Sequence, residues 1–344
     1  MGAGSVKSMM SRERIAVVYN EPCPSRYDYA GEESAVLGVL ESVEAVYGAL
    51  LKLGYDVFRL PLALPIEEAK EKLMSLEVDL VFNLFEGFCG QPETEGLVPE
   101  VLDRLGVPYT GCPATALKMA LDKVASKRAM RAAGIPTPDF QVLTPGTLSR
   151  FNLCYPCIVK PRNEDASHGL SQGSVVSDFT ALTRQVTKVC QLYGGEALVE
   201  EFIDGREFNV TVLGNGRGVV LPVSEIVYSL PPGMPQILTF AAKWEPGSPY
   251  FSGTKNTCPA QVPLATQQCA AETALRAFRL LDSRGYARVD MRLDREREFN
   301  VIEVNPNPDI SPGSGAVLQA EAAGMSYPRF IEKITELSRE KNQP

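Results

Sequence analysis

Apolar residues along the first third of the chain follow two periodicities that alternate. Arg14–Asn20 (RIAVVYN) is a short, nearly continuous apolar run, the pattern of a buried strand. Ser34–Leu53 carries apolar residues at helical spacing and ends at Gly54, a residue suited to the left-handed backbone that closes a helix. Tyr55–Leu60 reads as a second strand, Ile66–Leu76 as a helix and Asp79–Leu84 as a third strand. Strands alternating with helices pair in parallel and are covered on their faces. Residues 1–115 are therefore expected to form an α/β unit.

The pattern then changes. Thr115–Ala133 reads as one helix, capped by Thr115 and stopped by Gly134, with Lys118, Lys123, Lys127 and Arg128 on its polar side. A strand at Cys157–Lys160, a polar loop at 161–173 and a helix from about Asp178 to Tyr193 follow. Ala197–Ile203, Glu207–Leu213 and Gly218–Val227 read as successive antiparallel strands, joined by Asp204-Gly205 and Asn215-Gly216 turns. Ser229–Pro263 is rich in Pro, Gly, Ser and Thr, and a segment of that length inside a domain is usually a lid or a binding loop. Leu264–Leu281 is a helix, and Tyr286–Asp294 and Glu298–Asn305 are strands.

Composition narrows the class. The 344 residues suffice for two or three domains, and 44% hydrophobic with 22% charged residues is a globular balance. A net charge of −8 argues against sequence-independent nucleic-acid binding. No apolar run approaches the length of a membrane helix, and Met1–Arg14 lacks the apolar core of a secretory signal, so the expectation is a cytoplasmic protein with a loose N-terminal tail. The chain has eight cysteines, with one Cys-x-x-Cys (Cys154–Cys157) running into a strand, and His168 is its one histidine. A zinc site and a histidine-based triad are both disfavoured, and reduced, mostly buried thiols are expected. Gly214-Asn-Gly216-Arg-Gly218 lies between two strands and reads as a hairpin turn rather than a phosphate loop.

Chemistry concentrates in YARVDMRLDREREFNVIEVNPNP, residues 286–308. Ala287, Val289, Met291 and Leu293 alternate with Arg288, Asp290, Arg292 and Asp294, so one face of this strand is apolar and the other polar. A loop at Arg295–Glu298 makes the next run its hairpin partner, with 294 opposite 299, 292 opposite 301, 290 opposite 303 and 288 opposite 305. Directly opposed Cβ atoms lie about 5 Å apart. Asp290 and Glu303 would repel there unless a proton or a divalent cation intervened, and two carboxylates with an amide suit Mg²⁺. A solvated hairpin with incidental charges has the same spacing. Lys160, ending a strand before the small-residue loop RNEDASHGLS, fits a phosphate cradle, or equally a lysine snorkelling from a strand end. Glu200 and Glu207 flank a turn, as in many ordinary hairpins.

The order of these features resembles the ATP-grasp superfamily, and within it the D-alanine–D-alanine ligase-like carboxylate–amine ligases, over about residues 80–335. Asn305 through Ser314 to Ala322-Ala-Gly-Met-Ser-Tyr327 follow that family's C-terminal pattern. The resemblance implies an ATP-grasp fold, with central (116–195) and C-terminal (196–344) subdomains behind the N-terminal one and a lid at 229–263. It implies ATP and two Mg²⁺ ions, small carboxylate and amine substrates, and a homodimer. By the same resemblance, Lys123 and Lys160 hold ATP phosphates, Glu200 meets the adenine amino group, and Phe202, Ile203 and Ile302 border the adenine. Glu207 accepts from ribose, Asp290, Glu303 and Asn305 ligate Mg²⁺, and Lys243 reaches the γ-phosphate. Arg288 steadies the oxyanion, and Ser314 grips a substrate carboxylate.

Four departures gather where the family binds its first amino acid. The first strand-to-helix loop, NEPCPSRYDYAGEESAVLG, has no matching glutamate; the family's serine falls on Ala166, with Ser167 adjacent; its tyrosine falls on Trp244; and its histidine-glycine is Glu86-Gly87. Ala and Trp do not rebuild a Ser–Tyr hydrogen-bond network. Glu86 then either meets an ammonium or caps backbone, and His168 is either a loop residue or a substrate contact. The expectation is an acylphosphate-forming, ADP-producing ligase whose amino acid or small peptide substrate is not D-alanine. The alternatives are the D-alanine–D-alanine ligase of cell-wall synthesis and a non-catalytic ATP-binding module. Arg288, Lys243 and the metal positions speak against the module.

Overall fold

The structure is a computed structural model and describes residues 12–25, 27–28, 34–164 and 167–340. The tail at 1–11, parts of the first strand-to-helix loop and Ala166 lie outside the described residues.

β1 (Arg14–Asn20), β2 (Asp56–Leu62) and β3 (Leu80–Leu84) form a parallel sheet in the order β2-β1-β3. The unbroken apolar run of β1 has a direct cause, because both its faces are covered. Ile15 and Val17 pack with Val43, Val46 and Leu50 of helix Ser34–Lys52 and with Phe330 and Ile334 of the C-terminal helix Tyr327–Leu337. Ala16 and Val18 pack on the other side with Leu73 of helix Ile66–Met74 and with Val98 and Leu102 of helix Leu97–Leu105. Each buried Val or Leu contributes about 1.5–3 kcal/mol. The last helix of the chain therefore belongs to the core of the first unit.

β4 (Phe140–Leu143), β5 (Cys157–Pro161), β6 (Val175–Val176) and β7 (Ala197–Glu201) form a second, antiparallel sheet in the order β4-β7-β5-β6, packed on helix Phe179–Tyr193. β8 (Arg206–Leu213), β9 (Val219–Val220), β10 (Ser224–Tyr228), β11 (Thr254–Thr257), β12 (Tyr286–Leu293) and β13 (Phe299–Pro306) form the third. Its path is β11-β10-β8-β12-β13, with β9 paired to β8, and its apolar face meets helix Leu264–Leu280.

Several expectations change. The single helix over 115–133 is two, Ala114–Leu121 and Lys123–Ala132, broken at Asp122. Pro113, not Thr115, precedes the first, and the Asp122 carboxylate caps the second by accepting from Val124 and Ala125 N–H. That break leaves Lys123 and Lys127 buried at 7% and 0% exposure, where a continuous helix would have put them on a solvated face. β7 and β8 are not a hairpin, since they lie in different sheets. The change of sheet therefore falls at residues 202–205 rather than at 195–196. A Cβ on Gly205 would sit 1.9 Å from the Leu293 carbonyl oxygen, so only glycine allows the crossing chain this close to β12. The expected strand at 218–227 is interrupted between β9 and β10.

The segment at 229–263 is also more structured than its composition suggests. It holds helices Phe240–Trp244 and Pro249–Gly253, and β11 pairs with β10 along Val227 and Lys255. Cys23 and Cys89 form a disulfide across 66 positions, which corrects the expectation of reduced thiols throughout. The parallel sheet brings the ends of β1 and β3 together, a proximity that Cys spacing alone does not reveal. Cys112 and Cys157 are free and buried, as expected, while Cys154 and Cys269 are free and exposed. No helix among the described residues is long and apolar enough to cross a membrane.

Candidate active site

The polar face of the third sheet carries three cross-strand rows. Asp290 of β12 lies between Asn209 of β8 and Glu303 of β13. Arg288 lies between Thr211 and Asn305, and Arg292 between Glu207 and Asn300. The pairings 288–305 and 290–303 are those that the sequence predicts. Beyond them the register shifts by one, so that Arg292 faces Asn300 and not Val301. Ile302 is the extra residue of this bulge, and it lines the cleft. A bulge commonly re-aims a side chain in this way.

Around Asp290 the donors converge. Arg288 grips it with two bonds of 2.7 and 2.8 Å, Asn209 donates at 2.6 Å and Asn305 Nδ2 at 2.9 Å. Burial nevertheless pushes the Asp290 carboxyl up, against the pull of Arg288. Glu303 is different: burial is outweighed by Lys123, Lys160, Lys243 and Arg288, and its carboxyl is pushed down to about 2. Lys123 Nζ lies 3.7 Å from Glu303 and also donates to the Glu164 carbonyl. The set suits a hard cation. It offers two opposed carboxylates, and Asn305, whose nitrogen is turned to Asp290, keeps its Oδ1 for a ligand.

The back wall is a buried triplet. Glu200, 1% exposed, is held between Lys127 and Lys160, each at 2.8 Å. Lys127 also donates to Thr137 Oγ1, which donates to the Val301 carbonyl. Burial lowers the Lys127 ammonium to about 8, with Glu200 opposing and Lys160 adding to the effect. The two lysines keep Glu200 below its usual range in spite of burial. Lys160 thus stands at the cleft anchored by a carboxylate, and is not the solvated strand-end lysine that its position also allowed.

Arg292 organises the wall formed by Phe202, Ile203 and Glu207. It donates to Glu207 Oε2 at 2.9 Å, to the Ile203 carbonyl at 2.7 Å and to the Gln236 carbonyl, and lies 4.8 Å over the Phe202 ring. Tyr228 donates to the same Glu207 oxygen at 2.8 Å, so that both Arg292 and Tyr228 engage Oε2. The Phe202 N–H donates to Pro156, so this residue presents its ring and not its amide.

Lys123, Lys160, Glu200, Phe202, Ile203, Glu207, Asp290, Ile302, Glu303, Lys243, Ser167 and His168 all line one cleft of about 820 Å³ including its mouth. From His168, on the cleft wall, an aromatic series runs into the protein. Tyr27 stacks on His168 at 3.8 Å and 4°, His168 meets Phe240 at 5.6 Å, and Phe240 meets Trp244 at 6.4 Å. Tyr27 also donates to Glu164 at 2.7 Å. His168 is thus 4% exposed and packed between rings. Ser167 has φ +64°, a strained conformation for a serine, at the cleft edge. Ser314 precedes helix Gly315–Ala322, and its buried Oγ has no hydrogen-bond partner among the described residues. Arg288, Asn305, Ser314 and Glu86 are not among the residues lining the main cleft; Glu86 lines a neighbouring cavity instead.

Lys127, Arg292, Asn209 and Tyr27 were not singled out for the site by the sequence. Arg292 alone carried a signal, its place on the polar face of the β12 alternation. Lys127 looked like one solvated lysine among several, and Asn209 and Tyr27 sit in unremarkable surroundings until distant strands and loops meet.

Residues 129–336 match the family described as D-ala D-ala ligase C-terminus. The D-alanine–D-alanine ligase of Desulforudis audaxviator is 32% identical over 311 residues, 88% of this chain and 94% of that protein. An uncharacterized protein of Sinorhizobium fredii, y4sG, is 38% identical over 264 residues, 76% of this chain and 75% of that one. Among solved structures, the D-alanine–D-alanine ligase of Bacillus anthracis in complex with ATP superposes with a TM-score of 0.72 at 22% identity, covering 95% of this chain and 97% of that one. The VanG D-Ala:D-Ser ligase of Enterococcus faecalis does so with 0.74 at 20%, covering 95% and 100%. The chain belongs to the D-alanine–D-alanine ligase family, and is an ADP-forming ATP-grasp carboxylate–amine ligase of that type.

Proposed function

We propose that the protein joins a small carboxylate other than D-alanine to an amine through an acylphosphate. The observation that carries this reading is the convergence of Lys123, Lys160, Lys243 and Arg288 on Glu303, a concentration of positive charge suited to a triphosphate. Lys123 and Lys160 face the phosphates, Glu207 Oε1 takes the ribose, and Phe202, Ile203 and Ile302 border the base. Glu200, expected to meet the adenine amino group, has both oxygens engaged by Lys127 and Lys160 and instead orients these lysines at the back wall. Two Mg²⁺ ions held by Asp290, Glu303 and Asn305 would neutralise phosphate charge.

A carboxylate oxygen of the substrate attacks the γ-phosphorus, the bond to the β-phosphate oxygen breaks and ADP leaves. The amine then attacks the acyl carbon, the bond to phosphate oxygen breaks, and phosphate departs as the nitrogen loses a proton. Arg288 stands where it can offset charge on the tetrahedral oxyanion. Lys243, on the short helix within the Pro/Gly-rich segment, reaches the transferring phosphoryl group. The segment over 229–263 closes over the cleft and keeps water from the acylphosphate.

Substrate choice rests on Trp244 and the first-substrate side. Trp244 brings a ring whose buried Nε1 has no hydrogen-bond partner among the described residues, and it crowds Gly38, where a Cβ would lie 2.6 Å from the indole. Glu86 follows β3, and Ser314 offers an unpartnered hydroxyl for a carboxylate. ADP release across a panel of amino acids and dipeptides tests the reading; release with none of them, in the presence of Mg²⁺, would refute it.

A further inference from the structure

From the first strand-to-helix loop, Tyr27 reaches across to the wall of the main cleft. Its hydroxyl donates to Glu164 Oε2 at 2.7 Å, across 137 positions, and its ring stacks on His168. Tyr27 is 5% exposed and Glu164 4%, so water does not compete for this bond. Glu164 lines the cleft and is held at its other end as well. Its backbone carbonyl accepts from Lys123 Nζ, the ammonium that also lies 3.7 Å from Glu303. Through Glu164 the first unit is thus tied to a lysine of the cleft.

Two local features hold Tyr27 in place. Its own N–H donates to Ser25 Oγ at 3.2 Å, and the Ser25 N–H donates to Asp28 Oδ2 at 3.0 Å. Against this turn lies a second one, Phe88 to Gln91, closed by the Gln91 N–H donating to the Phe88 carbonyl at 2.8 Å. Its two central residues, Cys89 and Gly90, have φ of +48° and +70°. Cys89 is bonded to Cys23, and Gly90 lies against Tyr27, where a Cβ would come 3.0 Å from the ring. The disulfide therefore pins the loop just before Tyr27 to the turn that receives its ring.

We propose that Tyr27 is a positioning residue of the cleft: pinned by the Cys23–Cys89 bond, it clamps Glu164 and so fixes Lys123 Nζ for a phosphate. A lysine side chain is long and flexible, and ordering it before the ligand arrives lowers the cost of binding. Tyr27 is not among the residues lining the cleft, whereas Phe202, Ile203 and Ile302 line it directly. Loss of the clamp therefore weakens the hold on phosphates and leaves the base side as it is. The phosphate role of Lys123 rests on the ligase reading above, whereas the clamp on Glu164 does not.

The test compares the affinities of the full-length protein for Mg²⁺·ATP and for adenosine, which lacks the phosphates, by calorimetric titration. Tyr27→Leu should lower the ratio of ATP to adenosine affinity about tenfold, and Tyr27→Phe, which keeps the stack and loses the hydroxyl, about threefold, with adenosine binding unchanged in both. Lys123→Ala should lower the ratio by itself, and adding Tyr27→Phe to it should change little more, because both act through one ammonium. Dithiothreitol passes two electrons and two protons to the Cys23–Cys89 bond, which leaves two thiols and the reagent's own cyclic disulfide. This reduction, verified by thiol titration, should lower the ratio in the same direction. An unchanged ratio in Tyr27→Phe where Lys123→Ala lowers it, or equal losses of ATP and adenosine affinity, would overturn the proposal. An unchanged ratio after reduction would overturn the part given to the disulfide. A ratio indifferent to Lys123→Ala would instead refute the phosphate reading of Lys123, and this inference with it.

Discussion

Asp290 and Glu303 stand directly opposite each other on β12 and β13, one residue before the ladder shifts register. Their environments differ sharply, since Arg288 and two amides surround Asp290 while four cations bear on Glu303. The proposed Mg²⁺ site would use both carboxylates. Glu303→Gln should lower Mg²⁺-dependent turnover by roughly a hundredfold and raise the Mg²⁺ concentration needed for half activity. Full turnover in this variant, measured by ADP release against Mg²⁺, would remove Glu303 from the metal site.

The buried Lys127 gives a pH signature. Its folded-state value of about 8 lies below the 10.5 of an ordinary lysine, so between these values the unfolded chain binds more protons than the folded one. Stability from this group therefore rises as pH climbs from about 8 to 10.5, and is flat below that window. Urea midpoints of the protein and of Lys127→Met, followed over this range, should diverge, with the rising contribution missing from the variant. Parallel curves would show that Lys127 does not titrate in the window.

Arg292→Lys tests the proposed adenine side. Lysine retains the charge but not the fork that reaches Glu207, Ile203 and Gln236 together. The KM for ATP should rise about tenfold, with a smaller change in kcat. The opposite split would place Arg292 at the chemical step.

Lys243→Ala should lower kcat more than it weakens ATP binding, which single-turnover and equilibrium measurements separate. Proteolysis within 229–263 should slow in the presence of ATP and substrate. Cleavage indifferent to both would show that this segment is not a closing lid.

Much of this architecture was legible in the sequence because it depends on local periodicity. β1, β3 and the 286–305 hairpin, down to the Asp290–Glu303 pairing, follow from apolar alternation and a short turn. What failed depends on meetings between distant segments. The break at Asp122 is stabilised by its own cap and by Arg162, forty positions on, at 2.8 Å. The Asp204-Gly205 step looks like a hairpin turn because nothing nearby indicates that the chain is changing sheets. Likewise Lys127 becomes a site residue only when β7 brings Glu200 to it, and the bulge at Ile302 leaves no trace in the spacing.

The central claim, an ATP-dependent ligase that has left D-alanine behind, is tested most directly by Mg²⁺-dependent ADP formation coupled to mass analysis of the products. D-Alanine, other amino acids and dipeptides would each be supplied as carboxylate donor with a common set of amines. The account predicts stoichiometric ADP and an amide product from a donor other than D-alanine, with D-alanine poor by orders of magnitude. Efficient synthesis of D-alanyl-D-alanine at millimolar D-alanine would contradict it.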